Sequence, residues 1–290
     1  MLIVIAGGTG FIGRIVSTYL REQGHHVVQF SRSNGFDVLD PRSLGAWVGQ
    51  AEGVINCVVN TGDRVSPGLV RDNLMLCYEV FQACADEDVP LLQISSCEVY
   101  GNLSPEQQGY VTMHEEFPRN PTCAYAVAKD LTDQMCLGMV RVCGLNARIA
   151  RLFNPYGPSQ TNEDRVIRRW WRQIRNDQPI TMYGDGSDFK DWVYETDIAA
   201  GIWEAQRLGK GAVVNLASGR TTTNLEIATM MAGFLGRDLR VDYQPYPEKH
   251  NHLYRQRGST EKAASHLGWA AHVPAEIGLA MTVAGYEGEQ

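Results

Sequence analysis

The sequence predicts an α/β fold, a doubly wound parallel sheet with helices on both faces. Three observations carry that prediction. The chain opens on an unbroken apolar run, Leu2-Ile3-Val4-Ile5-Ala6, rich in β-branched residues and so a strand buried on both faces. A glycine-rich turn, Gly7-Gly8-Thr9-Gly10-Phe11-Ile12-Gly13, follows at once and leads into the helical pattern Arg14-Ile15-Val16-Ser17-Thr18-Tyr19-Leu20-Arg21. Further apolar runs, over residues 26–31, 54–59 and 90–95, then alternate with helical segments, one of them across Leu69 to Ala85. Alternation of strand and helix builds βαβ units and hence a parallel sheet. Ligands of such sheets lie beyond the carboxyl ends of the strands, so the residues following each strand are the candidates for function.

Strand, glycine turn and helix together turn a bare glycine spacing into a dinucleotide-binding, Rossmann-type expectation. Gly7, Gly10 and Gly13 serve separate needs, which are a tight turn, close approach of the backbone to a pyrophosphate, and close packing of helix on strand. Thr9, Phe11 and Ile12 complete the cofactor-facing turn, and the amides at the helix start face the phosphate charge. An ordinary glycine turn is the alternative, and the buried strand immediately before it argues against that.

After the second strand a carboxylate would bind the ribose 2′-hydroxyl of NAD, and an arginine would accommodate the extra phosphate of NADP. The chain has Ser31-Arg32-Ser33 there and no carboxylate, which favours NADP, with NAD the alternative. A solvated Arg32 is the competing reading. Asp37 and Val38 are expected beside the adenine, and Asp40 caps a helix opening at Pro41.

The fourth strand runs into Ser95-Ser96-Cys97-Glu98-Val99-Tyr100-Gly101. Downstream, a helix expected to begin at Asn120-Pro121 carries Tyr125 and Lys129 four residues apart, so both project from one face. An ammonium beside a phenol favours the phenolate, which suits the phenol to proton transfer during carbonyl–alcohol interconversion. The Ser96 hydroxyl would orient the same oxygen. A Tyr-x-x-x-Lys spacing alone is common on solvated helices, and its conjunction with the glycine turn and a strand-end serine is what gives it weight.

Bulk properties narrow the classes. A chain of 290 residues suffices for a core domain with a smaller lobe. The net charge of −7 argues against a nucleic-acid partner. No apolar run approaches the roughly 18 residues that span a bilayer, and the N-terminus lacks the basic segment of a signal peptide, so a cytoplasmic protein without a membrane partner is expected. Seven cysteines without paired spacing, Cys57, Cys77, Cys84, Cys136 and Cys143 among them in apolar stretches, fit free thiols in a reducing compartment. The histidines show no metal-ligand spacing, and no metal is expected.

The conjunction of motifs resembles the extended short-chain dehydrogenase/reductase family, in its NAD(P)-dependent sugar-nucleotide epimerase, dehydratase and ketoreductase branch. The carriers are Gly7 to Gly13, Asn73 in Asp72-Asn73-Leu74, Ser96, Tyr125 with Lys129, Arg151-Leu152-Phe153-Asn154-Pro155-Tyr156-Gly157-Pro158, Tyr183-Gly184-Asp185-Gly186, Lys190-Asp191-Trp192-Val193-Tyr194 with Asp197, and Leu267-Gly268-Trp269. The resemblance covers essentially the whole chain. It implies an NAD(P)-binding domain over residues 1–154, partly rejoined by 180–220, and a smaller C-terminal substrate-binding lobe drawn mainly from 155–290. Tyr125 would be the acid/base, Lys129 would bind the nicotinamide ribose, and Ser96 would hydrogen-bond the reacting sugar oxygen. Asn73 joins the cofactor contacts. Glu98, Asn154, Arg165, Lys190 and Arg255 are the substrate candidates, with Arg255 or its neighbour Arg257 on the diphosphate. Relatives commonly pair as homodimers through two helices, here those near 74–85 and 125–143.

Departures from the pattern refine the reading. Dehydratases of the branch place an Asp-Glu pair after the hydroxyl residue, where this chain has Cys97-Glu98, and a thiol replaces a carboxylic acid poorly. Arg32 points to NADP, the usual donor for net reductions, and the short link to Asp37 resembles that of the 4-keto-sugar-nucleotide reductases, which implies NADPH-dependent reduction of a 4-keto sugar nucleotide. An NAD-dependent 4-epimerase is the alternative, and a 4,6-dehydratase or a non-catalytic NAD(P)-binding protein stands behind both.

Two later stretches have structural readings. Residues 164–175 are dense in arginine and tryptophan, and an amphipathic helix with Val166, Ile167, Trp170, Trp171 and Ile174 inward is preferred to a nucleic-acid surface. Thr221 to Glu226 reads as a helix start, followed by Met230, Met231, Phe234 and Leu235 as core.

Overall fold

The computed structural model describes residues 1–62, 66–103, 111–246 and 255–288. Its strands are β1 (Leu2–Ala6), β2 (His26–Phe30), β3 (Gly53–Asn56), β4 (Leu91–Ser96), β5 (Ala147–Leu152), β6 (Pro155–Tyr156), β7 (Ile180–Tyr183), β8 (Phe189–Asp191), β9 (Val193–Tyr194), β10 (Val213–Leu216), β11 (Thr221–Thr223) and β12 (Val241–Gln244). The helices are α1 (Phe11–Glu22), α2 (Pro41–Val48), α3 (Pro67–Asp86), α4 (Ala124–Val142), α5 (Val166–Arg175), α6 (Glu195–Ala205), α7 (Asn224–Leu235), α8 (Glu261–Leu267) and α9 (Ala275–Gly288).

Six strands form one parallel sheet in the order β10-β5-β4-β3-β1-β2. Both faces are covered, and the period of two in β1 shows how. Ile3 and Ile5 pack with Ile15, Leu20, Ile198 and Ile202 on the α1/α6 side, while Val4 and Ala6 pack with Leu44, Val80, Phe81 and Cys136 on the α2/α3/α4 side. Each such fully buried aliphatic side chain contributes about 1.5–3 kcal/mol, so these two layers are the main source of stability. The chain reverses direction across the sheet beside β1, with β2 on one flank and β3 on the other, which opens a crevice at the strands' carboxyl ends.

A second apolar centre lies under the later elements. Trp170, Trp171 and Ile174 of α5 pack with Tyr156, Trp192, Ile227, Met231, Leu279 and Tyr286. The arginines of α5 divide: Arg172 is exposed, Arg169 lines the cleft, and the Arg168 guanidinium lies 4.7 Å from the Trp171 ring and 4.3 Å from the Tyr286 ring and pairs with Glu163 at 3.0 Å. The small pairs β6/β9, β7/β12 and β8/β11 complete this lobe. Thr223 and Glu226 form a reciprocal capping box at the start of α7.

Three local expectations change. β3 stops at Asn56 although the apolar run continues, because the Asn56 amide bonds Gln93 on β4 at 2.7 Å and accepts from Val58 N, turning the chain. α4 begins at Ala124 rather than at Pro121, because Asn120 N is committed to Val99 O at 3.0 Å and the Cys123 thiol caps the helix instead. Phe234 is 41% exposed and outside the core, whereas Met231 is fully buried.

One buried carboxylate joins the sheet to the later lobe. Asp191 accepts from Ser218 N and Oγ, Gly219 N and Gly258 N at 2.6–3.1 Å, so it ties the end of β8 to two loops distant in sequence. Burial pushes this carboxyl up, to about 6, and the four donors oppose that rise. Asp191→Asn would turn an N–H₂ group toward these donors and should cost about 3 kcal/mol or more by urea unfolding. A loss below about 1 kcal/mol, the worth of one ordinary hydrogen bond, would contradict this account of the junction.

Candidate active site

The glycine turn has the shape its residues predict. Gly7 adopts φ +75°, and a Cβ there would lie 2.9 Å from the backbone of Cys57 and Val58. At Gly13 a Cβ would lie 2.4 Å from Gly7 O, so only glycine lets α1 pack this closely on the turn. Among the described residues no side chain caps the start of α1, whose Ncap is Gly10, and a Cβ on Gly10 would meet only Gly7 O at 3.3 Å. Bare backbone and an uncapped helix N-terminus therefore face the crevice, an arrangement that fits a dinucleotide pyrophosphate.

From this turn extends a cleft of about 770 Å³, lined among others by Gly10, Ser96, Tyr125, Lys129, Asn154 and Lys190. Helix α4 presents Tyr125 and Lys129 one turn apart. Lys129, 6% exposed, donates from Nζ to Ile94 O at 2.8 Å, two residues before Ser96 on the same strand. One turn further, Asp133 pairs with Arg151 of β5 at 3.0 Å, both fully or nearly buried. Burial pushes the Asp133 carboxyl up while the Arg151 guanidinium pulls it down. The face of α4 that carries the candidate acid/base is thus pinned to β4 and β5 by two charged side chains.

Around Ser96 the chain makes a short 3₁₀ turn, Cys97–Tyr100, capped by the Ser96 hydroxyl, which accepts from Glu98 N at 3.2 Å. Glu98 lines the cleft, and its Oε2 accepts from the Cys123 thiol at 3.6 Å, next to the N-terminus of α4. The Cys97 thiol lies against the Gln256 amide at 3.3 Å, and burial pushes it up to about 12. It therefore stays a neutral thiol through the physiological range and cannot serve as a strong acid.

The other sequence candidates divide by position. Thr9, Ser31 and Ser33 form a hydroxyl cluster beyond the end of β2, with Thr9 Oγ1 2.6 Å from Ser31 Oγ and 2.9 Å from Ser33 Oγ. Arg32 is exposed in the short turn there. Phe11 and Ile12 line the cleft. Asp37 closes a local turn on Leu39 N at 3.0 Å, and Val38 is buried in the apolar layer with Phe30 and Leu44. Asn73 commits its amide to Asn60 N, Asn60 O and Leu69 O at 2.8–2.9 Å, so in this structure it fastens the loop after β3.

Among the candidates for substrate contact, Arg165 is the exposed Ncap residue of α5 at the cleft. The Lys190 Nζ lies 5.6 Å from the Trp192 ring centroid. Arg255 Nε is 3.9 Å from Asp188, which also accepts from Tyr246, whereas Arg257 turns away to Gly219 O. Residues 250–254 of the stretch from His250 to Gly258 lie outside the described residues. Asn154 takes φ +24°, a left-handed value that asparagine tolerates better than most, and donates to Asp191 O at 3.0 Å.

Two residues that sequence reasoning passed over belong to the site's frame. Arg14 donates to Thr9 O at 2.8 Å and to Ser159 O at 2.7 Å, tying the glycine turn to the second lobe. Its position directly after the last glycine was the available signal. Gln256 is fully buried beneath the Ser96 turn, and nothing in a lone glutamine marks it.

Comparison with known proteins follows the same lines. The model of the NAD dependent epimerase/dehydratase family matches residues 3–217. UDP-glucuronic acid decarboxylase 1 of Danio rerio is 25% identical over 303 residues, spanning 97% of this chain and 71% of that protein. The dTDP-glucose 4,6-dehydratase of Streptomyces griseus is 28% identical over 270 residues, 91% of this chain and 79% of that one. UDP-glucuronic acid 4-epimerase from Bacillus cereus, solved with UDP-glucuronic acid and NAD, superposes with a TM-score of 0.89 at 22% identity over 100% of both chains, a likeness of fold.

Gly13→Ala tests the cradle. Its Cβ would displace α1 from Gly7, and dinucleotide affinity measured by calorimetry should fall at least about tenfold, roughly 1.4 kcal/mol. Unchanged affinity would contradict the fit.

Proposed function

The chain belongs to the NAD dependent epimerase/dehydratase family, and from that premise we propose that it transfers hydride at C4 of a nucleoside-diphosphate sugar, with NADPH-dependent reduction of a 4-keto sugar as its net reaction. The observation that carries the proposal is the cleft itself, whose lining includes Ser96, Tyr125 and Lys129 together with the glycine turn. When bound, the dihydronicotinamide supplies the hydride. Tyr125 gives its phenolic proton to the C4 oxygen as the carbonyl becomes an alcohol, and Ser96 holds that oxygen by a hydrogen bond. Lys129 would hold the ribose of the bound dinucleotide, and its bond to Ile94 O fixes the ammonium on the cleft wall one helical turn from Tyr125.

Around the adenosine ribose, the hydroxyl cluster of Thr9, Ser31 and Ser33, with Arg32 in the same turn, supports a 2′-phosphate and hence NADPH. Gly7, Gly10, Phe11, Ile12 and Gly13 serve the pyrophosphate and nicotinamide end. Glu98, Asn154, Arg165, Lys190 and Arg255 serve the sugar and its diphosphate. The neutral Cys97 thiol argues against a 4,6-dehydratase, which needs an acid at that point. A second reading, a 4-epimerase retaining NAD, is favoured by the Bacillus cereus enzyme solved with NAD on the same fold. Exposed Met75 and Tyr78 on α3, with Leu131 on the adjacent α4, support a homodimer paired through these helices.

Identification of the dinucleotide retained on purification decides between the two readings: weak binding with preference for NADPH is expected, and tightly held NAD would favour the epimerase. Arg32→Ala should lower the NADPH-over-NADH preference about tenfold, the worth of one charge-assisted contact. A variant that discriminates like the parent would refute the role of Arg32. Tyr125→Phe should reduce kcat by about 10²-fold or more at unchanged fold, and full turnover would end the proposal.

A further inference from the structure

Beneath the candidate site lies a side chain with no part in the proposed chemistry and every hydrogen-bonding position occupied. Gln256 is fully buried. Its Nε2 donates to Cys97 O and Gly101 O, each at 3.3 Å, the two carbonyls that bracket the 3₁₀ turn. Its Oε1 accepts from the Cys97 thiol at 3.3 Å and from Asn154 Nδ2 at 3.4 Å. The surrounding strap, Arg255 to Gly258, is itself threaded by backbone bonds between Leu103 and Met113 on one side and Phe189 on the other. The partners fix which way the amide points, because two carbonyls demand its N–H₂ and two donors demand its oxygen.

We infer that Gln256 is a positioning residue of the site: its amide sets the turn carrying Ser96 and Glu98 against Asn154, and so holds the substrate-orienting Ser96 hydroxyl in register with the substrate lobe. The inference rests on the proposed C4 chemistry for its consequence and on the geometry alone for the contact. The three N–H···O bonds are long and the thiol is a weak donor, but the four converge on one planar group, and buried networks of this kind act together. Ser96 and Glu98 flank Cys97 directly, so displacement of the Cys97 carbonyl moves both. Misplacement on the order of 1 Å costs about 10²-fold in rate. The charged groups that reach this spot from neighbouring elements are Glu98, Lys190 and Asp191.

Two variants of the full-length protein test this. Gln256→Glu is nearly isosteric, and as a carboxylate it faces the Cys97 and Gly101 carbonyls, while its protonated form regains one donor. Burial moves the ionisation of that carboxyl to higher pH, so kcat should be about tenfold or more below the parent at pH 8 and recover toward it near pH 6. Gln256→Leu, which cannot donate, should stay low across that range, with KM and dinucleotide affinity changed less than about threefold. Hydrogen exchange is the second readout: amides of residues 98–101 should exchange about tenfold faster in Gln256→Leu while those of α4 and β5 stay unchanged. If the parent turns over no nucleotide sugar, the proposed function fails, and exchange alone then judges Gln256. Folded variants with parental kcat at every pH, a Gln256→Glu loss that is flat with pH, or unchanged exchange at 98–101 would each overturn the assignment.

Discussion

A lysine ammonium bound to a strand carbonyl inside the protein is the contact on which the rest of the site depends. Burying an ammonium costs several kcal/mol unless its hydrogen bonds are met, so Lys129 tolerates little change in its setting. Its bond to Ile94 O fixes the height of α4 along β4. Tyr125 then stands one helical turn toward the open end, and Ser96 stands two residues further along the strand. The presence of all three side chains on the lining of one cleft thus follows from one distance and two periodicities, 3.6 for the helix and 2 for the strand.

Around that contact, polar networks do what apolar packing cannot, which is to specify direction. Arg151 is held by Asp133 of α4 and donates to Tyr100 Oη and Glu115 O at 2.8–2.9 Å, and Tyr100 in turn donates to Asn215 of β10 at 2.7 Å. Helix α4, β5, the 3₁₀ turn and the last sheet strand are therefore keyed to one another through a single chain of charge and dipole. Asp191 repeats the device one layer out, and Arg14 bridges the two lobes at the glycine turn. The apolar layers make the domain stable, and these networks make its cleft a defined shape.

Much of this was legible in the sequence because it is local. The glycine turn needs three small residues at fixed spacing after a buried strand, and Tyr125 with Lys129 needs only a helix. The capping box at Thr223 and Glu226 and the inward face of α5 were readable for the same reason. What escaped depends on partners far along the chain. The end of β3 at Asn56 is set by Gln93, and the start of α4 by Asn120 meeting Val99. Gln256 lies 159 residues from Cys97, and no spacing rule connects such a pair.

Hydride transfer at C4 stands or falls on the atom that moves. A nucleotide sugar deuterated at C4, incubated with the protein and stoichiometric oxidised dinucleotide, permits a direct reading in the reverse direction by mass spectrometry of the recovered nicotinamide. The deuterium should appear on the nicotinamide ring in the parent and be lost from that position with Tyr125 replaced by Phe. Product formation with the label still wholly on the sugar, and none on the ring at any time during turnover, would contradict the proposed transfer.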